Sequence, residues 1–205
     1  MDDFVQPVLA FIAAHSGWAV VAMFVAAFGE SFVFVSLLFP GTTLLIAAGT
    51  LASQGTLPYW PVLIGAVAGA SLGDWVSYRL GRRFGGAVAR LWPFSRNPDM
   101  LPSGIRFFHR HGGKSVFIGR FFGPLRAVIP LAAGIMQMPG GWFGAANVGS
   151  ALVWAPILLF AGDMIGTAGD RIIGSTETLV ALFGVVFAIG VGGIAWAAFH
   201  GRRRL

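Results

Sequence analysis

The sequence predicts an all-α polytopic membrane protein. Two re-entrant hairpins enter from opposite faces and join about four transmembrane helices in an inverted-repeat architecture. Three observations predict this. Of the 205 residues, 56% are hydrophobic and only 11% charged, against roughly 25% charged in a soluble domain. Four stretches carry no Asp, Glu, Lys or Arg: Phe4–Gly29, Ser31–Gly73, Ala127–Gly162 and Thr178–Gly201. Each exceeds the ~20 residues that span a bilayer's hydrocarbon core. The third is an internal echo: Leu44–Leu51 aligns with Ile129–Met136, with Ala47-Ala48-Gly49 over Ala132-Ala133-Gly134 at an offset of 85 residues. Each copy follows a Pro/Gly break and precedes a Trp-containing crossing, at Trp60 and Trp142.

The elements follow in chain order. Phe4–Phe28 reads as a first crossing. Asp2 and Asp3 stand where a signal peptide needs basic residues, so the segment is expected to remain in the mature protein. The apolar run 32–53, interrupted by Pro40-Gly41, is too short for two crossings and reads as a hairpin that returns to its starting side. Pro61–Leu80 is a full crossing whose Gly65, Gly69 and Gly73 have the spacing of close helix packing. The loop over about 81–114 is basic, with Arg79, Arg82, Arg83, Arg90, Arg96, Arg106, Arg110 and Lys114 in or beside it. Arg202, Arg203 and Arg204 close the chain. Short Lys/Arg-rich loops stay in the cytoplasm, so both segments are expected there. The connectors Gln54–Trp60 and Thr167–Glu177 read as external.

Within the basic loop, Asn97–His111 is expected to hold an interfacial helix, with Ile105, Phe107 and Phe108 in lipid and Arg106 and Arg110 at head groups. The second hairpin spans 115–136 and breaks at Gly123-Pro124. Trp142–Met164 is the next crossing, where Ala145, Gly149 and Val153 repeat the four-residue spacing less perfectly. A C-terminal transmembrane helix over 178–200 completes a single domain, 1–205. Such small-residue crossings suit packing within the chain or within a homo-oligomer.

Composition also excludes functions. There is no cysteine, hence no disulfide, thiolate metal site or cysteine nucleophile. The net charge of +6 sits in one loop and at the C-terminus, which reads as topology rather than nucleic-acid binding. Gly113-Lys114-Ser115 resembles a P-loop ending, but Phe108 stands where its first glycine belongs. Pro102-Ser103-Gly104 resembles part of a lipid-phosphatase signature, yet Ile105 replaces the histidine. His109 and His111 lack a carboxylate cluster beside them, and His15 and His200 read as interfacial. No metal, no cofactor and no enzymatic nucleophile with a base is expected.

Charges inside a bilayer cost ~2.5–3.5 kcal/mol on insertion scales and call for a partner or a purpose. Four residues qualify: Glu30, Asp74, Arg120 and Arg126. The last two flank the Gly123-Pro124 break, which can bring both guanidinium groups to one mouth. Arginine's fork matches phosphate oxygens, and half-helix starts add backbone donors, so the pair makes a phosphate site. The alternative is that both arginines pair with Glu30 and Asp74 to hold the hairpins together, and the two roles can coexist. Asp74 reads as a structural partner of the arginines, whereas a lone intramembrane carboxylate such as Glu30 suits proton binding and release.

These motifs resemble a known family. Gly73-Asp74, Tyr78, Gly81-Arg82 and Gly85 are similar to its G-D-x-x-x-Y-x-x-G-R-x-x-G block. Phe117, Arg120-Phe121, Pro124, Arg126, Pro130, Ala133-Gly134 and Met138 resemble its arginine block, with Pro124 displaced by one residue. Glu30 with Phe39-Pro40-Gly41 resembles a third element. The family is DedA, which shares the VTT (SNARE-associated) domain with eukaryotic autophagy scramblases, and the resemblance covers about 29–166.

The resemblance implies opposed hairpins and lipid movement between leaflets of the bacterial inner membrane, with undecaprenyl phosphate or phosphatidylethanolamine as cargo. Proton-motive force is implicated for some members. Carried over by position, Glu30, Arg120 and Arg126 are functional residues. Where many members carry an acidic residue after the first Pro-Gly, this chain has Thr42, which favours a passive scramblase. Two rivals are a proton-coupled transporter of a small cation or osmolyte, with Glu30 and Asp74 as its site, and a scaffold whose charges serve folding only.

Overall fold

A computed structural model of the chain describes residues 16–36, 41–91, 93–122 and 125–172. Helices make up its framework, and no strand occurs among the described residues. In chain order they are α1 (Ser16–Ser31), α2 (Gly41–Ser53), α3 (Tyr59–Phe84), α4 (Met100–His111), α5 (Lys114–Gly119), α6 (Leu125–Ile135) and α7 (Gly140–Ile172), with a 3₁₀ turn at Gly85–Arg90.

Local chemistry sets several boundaries. Pro58 is extended ahead of α3, and Pro61 falls in the first turn, where a missing N–H leaves no bond unmade. Gly85 ends α3 and Gly112 ends α4, at φ of +52° and +59°, conformations that glycine adopts without strain. Arg82 and Arg83 lie in the last turn of α3, and His109, Arg110 and His111 in that of α4. Basic groups there oppose the negative end of the helix dipole.

The helix directions follow from small residues. Gly65, Gly69 and Gly73 lie against the backbone of Val20, Phe24 and Phe28, in that order, so α1 and α3 run side by side in the same direction. Gly162 meets Ile46 and Gly166 meets Thr50, so α2 and α7 also run together. Gly140 and Gly144 sit against Tyr78 and Trp75, and the Asn147 amide donates to the Ser71 carbonyl. The opposed order makes α3 and α7 antiparallel. Therefore α2 runs against α1, and the chain turns back between Ser31 and Gly41.

The α2–α7 crossing and one further crossing have no room for a side chain. A Cβ on Gly49 would strike the Leu159 backbone, and one on Gly162 that of Ile46. At the second crossing, Gly134 lies on the Tyr78 backbone and Gly81 on that of Leu131. Met23, Ala27, Leu45, Ala66, Trp154 and Leu159 fill the core between α1, α2, α3 and α7. A second cluster joins Val33 and Phe94 to Leu101 of α4 and Val128 and Leu131 of α6.

Three local expectations differ from the structure. Both arms of the first hairpin are expected inside 32–53. Among the described residues that span holds one helix, α2, and its antiparallel neighbour is α1. The apolar side of α4 turns to protein rather than lipid: Ile105 packs on the Val33–Phe94 cluster, and Phe107 and Phe108 on the one around Tyr78 and Phe143. Gly104 lies directly against Val128, and that close approach to α6 swings the whole apolar face inward. The row Ala145, Gly149, Val153 makes no helix contact among the described residues, because Gly149 has open space around it and the other two are exposed. The close-packed small residues of α7 are Gly162 and Gly166 instead. Segment 115–136 divides into α5 and α6 as its break suggests. Pro40, Gly123, Pro124 and the helix expected over 178–200 lie outside the described residues.

Tyr78 ties α3 to the turn after α6. Its hydroxyl donates to the Met138 carbonyl at 2.6 Å and accepts from Arg82 Nη1 at 2.7 Å, while the same Nη1 reaches the Met138 carbonyl at 3.0 Å. The ring stacks on Phe143 with centroids 4.2 Å apart. Tyr78→Phe is expected to cost about 1 kcal/mol, one buried hydrogen bond, read as a lower unfolding temperature in detergent with helix content unchanged.

Candidate functional site at the helix breaks

The four intramembrane charges predicted from sequence converge as two ion pairs. Arg120 follows the last turn of α5, and its guanidinium pairs with Asp74, sixteen residues into the 26-residue α3. Its Nε donates to Ser150 Oγ at 2.8 Å and its Nη2 to Asn147 Oδ1 at 2.5 Å. Arg126, the second residue of α6, donates from Nη1 to Glu30 Oε1 at 2.5 Å and to Thr42 Oγ1 at 3.1 Å. The Thr42 hydroxyl donates in turn to Glu30 Oε1. Glu30, Asp74 and Arg120 are 7%, 6% and 5% exposed.

One side chain joins the pairs. The buried indole of Trp154 lies 5.8 Å from the Arg120 Cζ and 4.7 Å from that of Arg126. A desolvated cation over an indole face gains about 2 kcal/mol, so a single ring gathers both guanidinium groups. The break between α5 and α6 makes this possible: on one continuous helix, residues six apart point about 120° away from each other.

The hydrogen bonds do not use every polar atom. Arg120 Nη1, Arg126 Nη2 and Glu30 Oε2 are buried without a hydrogen-bond partner among the described residues. Buried charged atoms left this way are costly, and in a native site they mark the place of a ligand or water. Two N–H arms and one carboxylate oxygen are thus unpartnered among the described residues, at a site of zero formal charge.

Sequence reasoning named Glu30, Asp74, Arg120 and Arg126 but missed Asn147, Ser150 and Trp154. Their spacing carried a signal. Positions 147, 150 and 154 fall on one helical face, and an Asn inside an uncharged 36-residue run calls for a partner. Thr42, which the sequence presents only as a missing carboxylate, bridges Glu30 and Arg126. Among the described residues, no group of His, Cys, Asp and Glu could hold a metal ion.

One described helix, Gly140–Thr167 of α7, is long and apolar enough to cross a bilayer. It exposes Trp142, Leu152, Ile157, Phe160 and Met164, and α1 and α3 add Trp18, Val25, Trp60 and Ile64. An apolar exterior around a charged, hydrogen-bonded interior fits an α-helical membrane protein with a buried polar site.

The VTT domain family matches residues 39–164, and the chain belongs to this family, that of the DedA membrane proteins. It is 33% identical over 161 residues to the inner membrane protein YabI of Escherichia coli, covering 78% of this chain and 63% of YabI. It is likewise 33% identical over 165 residues to Protein DedA of the same organism, covering 76% and 73%. An uncharacterized membrane protein of Synechocystis, slr0232, is 36% identical over 171 residues, 78% of this chain and 75% of that one. The chain thus spans just under two thirds of YabI. No solved structure matches.

Proposed function

We propose that this protein moves a phosphate-bearing lipid, such as undecaprenyl phosphate or phosphatidylethanolamine, between the leaflets of a bacterial inner membrane. The observation that carries the reading is the pair Arg120 and Arg126 over Trp154, each with one N–H arm unpartnered and buried among the described residues. The phosphate bridges the two arms while its tails stay in the bilayer. Glu30 Oε2, also unpartnered, meets the ammonium of an ethanolamine head group. For an anionic head group the site gains a negative charge, and a proton on Glu30 restores the balance. The carrier performs no covalent chemistry.

Re-entrant hairpins give this site access from both faces. At 1.5 Å per residue, α2 and α6, of 13 and 11 residues, extend about 20 and 16 Å, well short of the ~30 Å hydrocarbon core. Antiparallel α1 and α2 form the first hairpin, and α5 with α6 the second. The glycine crossings support an inverted repeat: Gly49 and Gly134 are equivalent by sequence, and each presses on the long helix of the other half. Sites at such repeat interfaces lie near the bilayer midplane. The basic loop and the C-terminus face the cytoplasm. A small-cation site is disfavoured, since both carboxylates already face guanidinium groups.

The test is translocation of fluorescent phosphatidylethanolamine and of a polyprenyl phosphate in proteoliposomes, with and without a pH gradient. Arg120→Lys and Arg126→Lys keep a cation beside each carboxylate but remove the second arm of the fork. Each is expected to slow transport at least tenfold while the protein stays folded. Full transport by both variants sinks the phosphate site, and no transport of either lipid by the parent protein sinks the lipid reading.

A further inference from the structure

A second site lies away from the two ion pairs. A cavity of about 770 Å³ opens where the end of α4, the start of α5, the turn 136–139 and the first turns of α7 meet. That volume lies within the ~300–1,000 Å³ of ligand pockets. Phe108, Phe117, Met136, Met138 and Ala146 make its wall apolar, and Trp142, 73% exposed, stands at its edge. Its cationic group is Lys114, which is exposed. His111 lines it too. Because the His111 Nδ1 is 3.0 Å from the Phe107 carbonyl, an acceptor only, Nδ1 carries the proton, and Nε2 is the ring's remaining polar atom. Among the described residues, no carboxylate lines the cavity.

We infer that this cavity is a binding site for one anionic phospholipid of the surrounding membrane, separate from the arginine site. The apolar wall takes an acyl chain, and the Lys114 ammonium takes the phosphodiester. Charge and placement together select this occupant. The lining is basic without a compensating acid, and it begins where apolar α7 emerges beside the basic segment, with an exposed Trp of the kind that anchors at head-group level. Basic pockets between helices at that level recognise anionic head groups, at about fivefold in affinity for each Lys near the surface. The Tyr78–Arg82 clamp on the Met138 carbonyl holds the cavity's back wall in place. Glu30, Asp74, Arg120 and Arg126 contribute nothing to it.

The absence of cysteine allows a clean reporter. Ala145 is exposed and lines the cavity, so Ala145→Cys carries a bimane probe on the full chain in detergent–lipid micelles. Brominated phosphatidylglycerol is expected to quench it at about one fifth the mole fraction needed by phosphatidylcholine with the same chains. Lys114→Glu should erase that preference, and Ala146→Phe, which fills the wall, should weaken quenching by both lipids. A probe at Leu152→Cys, on the lipid-facing side of α7, should show no preference. Inorganic phosphate should leave quenching unchanged. Equal quenching by both lipids at Ala145, a preference that survives Lys114→Glu, or relief of quenching by inorganic phosphate overturns the assignment. So does complete protection of the probe, which would mean the chain itself covers the cavity. Each readout is independent of translocation, so failure of the carrier reading leaves it standing.

Discussion

Asp74→Ala is expected to destabilise the protein by about 3–5 kcal/mol, the cost of leaving a buried charge without its partner. Arg120 is 5% exposed and cannot reach solvent, and its remaining bonds to Ser150 and Asn147 supply dipoles rather than charge. The double variant Asp74→Leu with Arg120→Met removes both charges together. It should recover most of the loss, because a buried pair contributes little net stability over apolar residues of similar volume. Recovery stays incomplete: Asn147 Oδ1 loses its guanidinium donor, a penalty of about 1–3 kcal/mol. The double variant should also transport nothing, which separates folding from function. Asp99→Ala, at the exposed N-terminus of α4 with no side-chain capping bond, is the control and should cost no more than about 1 kcal/mol. Thermal unfolding of the detergent-solubilised protein reads all three against the parent. An Asp74→Ala protein as stable as the parent would show that Arg120 is not held as described.

The second large effect is expected at Gly134. Its Cβ direction is filled by the Tyr78 carbonyl across the α3–α6 crossing. Overpacked cores lose about 1–3 kcal/mol, and more when the neighbour cannot yield. Backbone carbonyls inside a helix are such neighbours, so Gly134→Val should fall at or above that range and push α6 off α3. Because Arg126 sits in the second position of α6, the same change should also weaken its pairing with Glu30 and abolish transport. Gly149→Ala, with nothing near its Cβ, should instead gain about 0.5–1 kcal/mol, as a glycine inside a helix does on replacement by alanine. Equal behaviour of the two variants would contradict the crossing.

Much of the site was legible in one dimension because isolated charges in apolar runs are conspicuous. Glu30, Asp74, Arg120 and Arg126 stand out for the same reason that they are costly: each is a charge removed from water. Their pairing was not legible. Either arginine could have met either carboxylate, and the spacing of 46 residues between Asp74 and Arg120, or 96 between Glu30 and Arg126, carries no preference. Trp154 was missed because an indole in an apolar run resembles any other core residue until cations lie over its ring.

Composition and charge order are enough to determine the solvent and the helical class, and the family is legible only in the motifs around Asp74, Arg120 and Arg126. Hydrocarbon admits backbone only with its hydrogen bonds satisfied internally, and that constraint is written in the lengths of uncharged runs. Proline and glycine placement likewise announces where α5 gives way to α6. Helix direction and partnership belong to tertiary structure. The shared direction of α1 and α3, and with it the identity of the first hairpin's arms, depends on Gly65, Gly69 and Gly73 meeting Val20, Phe24 and Phe28. Small residues announce a close contact without naming its partner: Gly69 is packed while Gly149 is open. Backbone-to-backbone fit between distant helices makes that choice, and through it decides which charges share one indole.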